Sequence, residues 1–153
     1  MKQYILQAIE KEPDYSEAFT KKVDTLRKDL AVTLNIDLLH DTDMNYSVAQ
    51  KLSHLTRDSN GKGYKMDIYI SSRAPIFTVC WLKCVSNNEW SAIVGEQLPK
   101  SIQRLKEKVV VRLQEKGMKE IEADKLNELV PGAVTDMDGA PATFFDVLFS
   151  ELH

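Results

Sequence analysis

Only two cysteines occur in this chain, Cys80 and Cys84, and they sit four residues apart. If the stretch between them is a strand, their sulfurs share a face but lie about 13 Å apart along it. A disulfide wants Cα atoms within roughly 7 Å, so no internal bridge is expected. Two free thiols fit a reducing compartment, and the cytoplasm is the expected location. Histidine is scarce, at three residues, which leaves little for general acid–base chemistry. Long apolar runs are missing as well. None approaches the roughly 18 residues that span a bilayer, so no membrane association is expected. The opening stretch Met1–Leu6 is amphipathic and lacks an apolar core followed by a small-residue cleavage site, so it does not read as a secretion signal. Glycine-rich phosphate loops, a Gly-x-Ser-x-Gly elbow and a His-Glu-x-x-His pair are all absent.

What remains is an ordinary globular composition over 153 residues, 43% hydrophobic and 28% charged. One domain of this size buries enough surface to need no metal or disulfide staple. The formal net charge of -3 hides an uneven distribution. From Gly117 onward eight acids (Glu120, Glu122, Asp124, Glu128, Asp136, Asp138, Asp146, Glu151) face two bases, Lys119 and Lys125. The preceding part of the chain is therefore net basic. Such asymmetry speaks to partners and not to the fold.

Periodicity predicts an α+β fold: a helical N-terminal third, then an antiparallel β-meander packed against helices. Ile5, Leu6 and Ile9 form a short helical stripe ending near Pro13. A longer helix starts at Ser16, with Phe19, Val23, Leu26 and Leu30 inward and Lys21, Lys22, Arg27 and Lys28 outward. Val48, Leu52 and Leu55 predict a third helix, beginning near Asn45 or Ser47 and stopped by Asn60-Gly61-Lys62-Gly63. Met66, Ile68 and Ile70 then alternate with polar residues as in a half-exposed strand. After a turn at 71–75, the run from Ile76 to Val85 is apolar on both faces and belongs at the centre of a sheet. Asn87-Asn88 supplies a tight turn into a third strand, Glu89 to Val94. Helices should cover the side opposite Tyr69.

Pro99 opens a further helix with Leu98, Ile102, Leu105, Val109 and Leu113 inward, closed by Gly117. Met118 to Glu122 predicts a short strand, Asp124 caps one helical turn, and Val130-Pro131-Gly132 breaks the chain. The ending, rich in Phe144, Phe145, Val147, Leu148 and Phe149, is expected to dock in the core, as helix or buried strand.

Candidate chemistry is sparse. Lys100, Arg104, Lys108, Arg112 and Lys116 recur every four residues and form one cationic band on a helix. A phosphate-binding band would read as a nucleic-acid interface. Glu107 and Glu115 interrupt it, and no aromatic residue is interleaved for stacking, so a solvated face is expected. His40, Asp43, His54 and Asp58 suggest a small metal-dependent hydrolase or nuclease as an alternative, His54 and Asp58 sharing a helical face. Arg73, in the turn before Ala74-Pro75, reads as an anchor for an anion or a partner carboxylate. No cofactor is expected. The leading expectation is a non-enzymatic domain, designed like an immunity-type inhibitor, that binds a basic protein through Asp136, Asp138, Asp146 and Arg73.

Overall fold

The structure is a computed structural model that describes residues 3–41, 48–87, 89–93, 97–135 and 139–150. Helix α1 spans Gln3–Ala8 and helix α2 spans Glu17–Leu34. Ser16 caps α2: its hydroxyl accepts the Phe19 N–H at 3.2 Å, while the Asp14 carboxylate accepts the Ser16 N–H at 2.9 Å. Asn35 ends the helix in the left-handed region at φ 52°. Between these caps the expected stripe holds, with Val23, Leu26 and Leu30 buried.

The third expected helix is instead a strand. After the two-residue β1 (Leu39–His40), strand β2 runs Ala49–Arg57 and folds back onto β3, Gly63–Ser71. They pair over nine rungs, from Ala49 opposite Ser71 to Arg57 opposite Gly63. The Asn60-Gly61 segment is a hairpin turn and not a helix stop, and in it the Asp58 carboxylate accepts the N–H groups of Asn60 and Lys62. The N-terminal third is therefore only partly helical. Leu52 and Leu55 share a helical spacing but point to opposite sides of the sheet, and Leu55 is exposed.

Strand β4, Ile76–Ser86, is central as expected, and β5, Glu89–Ala92, returns beside it. Val94, expected in that strand, lies outside the described residues. The sheet order is β1-β2-β3-β4-β5, antiparallel throughout, and β6 (Lys119–Glu120) pairs with β4 in parallel. Helix α3, Lys100–Glu115, follows Pro99, and Gly117 leaves it at φ 86°, a conformation that favours glycine.

Two cores form, one on each side of the sheet. On the first side Leu52, Met66, Ile68, Ile70, Phe77 and Val79 meet Val23, Leu26 and Leu30 of α2 and Ile102, Val109 and Leu113 of α3. This is the side opposite Tyr69. Tyr69's own side is covered too, over one end, by a C-terminal layer: α4 (Ala123–Leu126), the hairpin β7 (Leu129–Val134) with β8 (Pro141–Thr143), and α5 (Phe144–Leu148). There Ile5 and Ala8 of α1 pack with Ala49, Ile76, Phe144, Leu148 and Phe149. Tyr69 meets Phe145 edge-on, the ring centroids 5.1 Å apart. Pro131 and Gly132 lie within β7 and do not break the chain, because a two-stranded hairpin leaves edge positions where a missing N–H costs nothing.

Candidate functional site

Asp146, expected on the binding surface, is committed to the fold. It completes a capping box on α5: its carboxylate accepts the Thr143 N–H at 2.9 Å, and its own N–H donates to the Thr143 hydroxyl at 3.2 Å. Asp136 and Asp138 lie outside the described residues. The acidic side chains the structure does present are Glu122, Asp124 and Glu128, all exposed on or beside α4. Glu122 is the N-cap residue, the place expected for Asp124, which lies instead in the first turn. Lys125 answers Glu128 at 3.6 Å. Glu120 is half-buried alongside them. Burial pushes its carboxyl up, Lys106 opposes that, and Glu122 adds to it. Next to it the Tyr4 hydroxyl donates to the Glu120 carbonyl at 2.8 Å, and Lys119 lies over the Tyr4 ring at 4.7 Å.

The basic band belongs to the other side of the sheet. Lys100, Arg104 and Lys108 are exposed on α3 and Lys116 at its C-cap, while Arg112 forks onto Asp29 of α2, with Nε and Nη2 each 2.8 Å from a carboxylate oxygen. Lys116 also approaches Asp29, at 3.8 Å. The band is thus partly consumed in joining the two helices. Sheet and cores place the basic helix α3 and the described acids of α4 on opposite faces.

The histidines are spread along one face of two neighbouring strands. His40 Nε2 sits 2.8 Å from Gln50 Oε1, whose amide nitrogen donates to Thr20 at 2.9 Å. His54 Nδ1 sits 2.6 Å from the Asp37 carbonyl. Asp58, in the hairpin turn, spends its carboxylate on backbone N–H groups, and Asp43 lies outside the described residues. The spacing of His54 and Asp58 therefore puts one on a strand and the other in a turn, with no common helical face. Among the described residues no three of histidine, cysteine, aspartate and glutamate come together as a metal-holding group.

A polar cluster that periodicity does not disclose occupies the other half of Tyr69's side. Asp67, 4% exposed, accepts the Ser53 hydroxyl at 2.7 Å, with Lys65 at 3.7 Å. Lys65 also reaches Asp41 at 3.2 Å, and Lys51 reaches it at 3.4 Å. Burial would raise the Asp41 carboxyl, but its bonds and charge interactions with Lys65 and Lys51 outweigh that and hold it below the usual range. The legible signal was a carboxylate inside the alternation Met66-Asp67-Ile68. Leu39 and Leu55 stand exposed beside this ladder. These pairs tie β1, β2 and β3 together, with Asp67 and Ser53 buried beneath Lys65.

Arg73 is held by neutral oxygens. Its Nε donates to the Val147 carbonyl at 2.8 Å and its Nη1 to the Lys11 carbonyl, tying the 72–75 turn to α5 and to the segment after α1. Burial lowers the guanidinium pKa, offset in part by Tyr15 and Glu12.

The fold and these groups define a mixed α/β protein with a mostly antiparallel sheet. No helix among the described residues is long and apolar enough to cross a membrane. No family model, curated protein or solved structure matches the chain.

Proposed function

We propose that the chain is a non-enzymatic, cytoplasmic protein-binding domain whose acidic C-terminal layer receives a basic protein partner, as an immunity-type inhibitor would. One observation carries this reading: Glu122, Asp124 and Glu128 stand exposed together at α4, on the face of the sheet opposite the basic helix α3. The cluster is net negative even with Lys125 beside Glu128, and a net-negative patch steers an oppositely charged partner. The unpaired thiols of Cys80 and Cys84 fit the reducing setting.

The experiment isolates a basic partner from native cytoplasm, then measures its association rate at low and high salt. Replacing Glu122 and Glu128 by Gln and Asp124 by Asn should slow association about tenfold at low salt and flatten the salt dependence. Asp146 stays untouched, since its carboxylate caps a helix. An association rate that ignores both salt and the triple substitution would refute the electrostatic reading. The metal-dependent alternative predicts stoichiometric zinc or manganese in the purified protein.

A further inference from the structure

A cleft of about 330 Å³ opens beside the 72–75 turn, between that turn and the start of α2. Its floor is apolar, from Phe19, Leu26, Ile70 and Met118. Its rim is cationic: Lys11 and Lys22 are exposed at the mouth, and half-buried Arg73 lies inside it. The one acid on the lining, Asp14, already accepts the Ser16 N–H at 2.9 Å. Its carboxyl is held low by the side-chain and backbone bonds of Ser16. Arg73 has two donors on backbone carbonyls, and among the described residues no carboxylate lies within ion-pair distance of it. A half-buried guanidinium ordinarily has an anionic partner in contact, whereas among the described residues Glu12 acts on Arg73 only from a distance. Its remaining N–H groups are the strongest uncommitted donors in the cleft.

From this juxtaposition we infer that the cleft binds a small carboxylic acid with an apolar tail. The carboxylate sits on the Arg73 guanidinium under Lys11 and Lys22, and the tail lies over Phe19, Leu26, Ile70 and Met118. The volume stands at the lower end for small-molecule pockets, which limits the ligand to a short chain or a single ring. This site is separate from the acidic layer and does not depend on the protein-binding reading.

The test follows backbone amide NMR shifts while sodium octanoate is titrated into the full chain, with 1-octanol and inorganic phosphate as separate probes. Octanoate should give saturable shifts at Ile70, Arg73 and Met118, and the other two probes should not saturate, since each has only half of the required chemistry. Arg73 is left intact because its backbone bonds hold the turn. The double substitution Lys11→Gln and Lys22→Gln removes exposed charge without touching the fold and should weaken octanoate about fivefold. Ala18→Trp, on the exposed lining of the cleft, should abolish binding by filling it. Absence of saturable shifts at millimolar octanoate would overturn the inference. So would equal binding of octanol or phosphate, or octanoate affinity unchanged in both variants.

Discussion

Asp29 of α2 and Arg112 of α3 face each other as a two-pronged ion pair, both contacts at 2.8 Å. The pair joins two helices whose other shared surface is the apolar face turned to the sheet. Hydrogen bonding from Arg112, more than bare charge, holds the Asp29 carboxyl below its ordinary range. A folded-state carboxyl held low contributes stability above its unfolded pKa, and that contribution is lost as pH falls through the folded value. Asp29→Asn should therefore melt below wild type at neutral pH, and the two curves should converge in acid. Thermal melts from pH 7 to pH 2 check this; a gap that stays constant would assign the loss to something other than the charge.

The strand identity of β2 makes Leu52 and Leu55 unequal. Leu52 is fully buried while Leu55 is 60% exposed. Leu52→Ala should cost about 2–5 kcal/mol in a urea denaturation curve, and Leu55→Ala should change stability by no more than about 0.5 kcal/mol. A helix carrying both on one face would give comparable losses.

That same pair shows where the sequence was readable and where it was not. The repeat of Ile102, Val109 and Leu113 marks the buried face of α3, and the doubly apolar run from Ile76 marks a central strand, because each pattern fits a single period. Leu52 and Leu55, with Val48, fit a helical period by coincidence. What overrides them is the nine-rung pairing with β3, a long-range fact that no local window contains. Charge counts disclosed an acidic C-terminal quarter but not which carboxylates the fold would spend. The Thr143-x-x-Asp146 spacing is a capping-box signature and was legible in principle. Nothing local connects Lys11 and Lys22 with Arg73, which only the packing of α1, α2 and the 72–75 turn brings into one cleft.

Capping at α5 leads to a stability change that should be kept apart from binding. Thr143→Ala removes the hydroxyl that accepts the Asp146 N–H and should cost about 0.5–2 kcal/mol. Asp146→Asn should also destabilise the chain, while leaving association with a basic partner near that of wild type when measured on the folded fraction. Denaturant melts paired with association kinetics check both.

Burial pushes the Cys80 thiol up to about 11, with Asp67 adding to the effect. At neutral pH that leaves about a hundredfold less thiolate than a free cysteine carries. Iodoacetamide should accordingly modify Cys80 slowly at pH 7.5, at a rate that climbs steeply toward pH 11, as read by mass spectrometry of the peptide. Fast labelling of Cys80 at neutral pH would contradict the burial that raises it.

The ladder from Asp41 through Lys65 and Ser53 to Asp67 has a bearing on how the hairpin finds its alignment. Side chains alternate along a strand, so sliding β3 past β2 by a single position would turn Asp67 inward, against Met66's present neighbours on α2 and α3, and turn Ile68 out to water. A carboxylate stranded among Val23, Leu30 and Val109 would cost far more than the mispaired backbone alone. A buried acidic residue between Met66 and Ile68 thus acts as a key against a one-residue slip of the sheet.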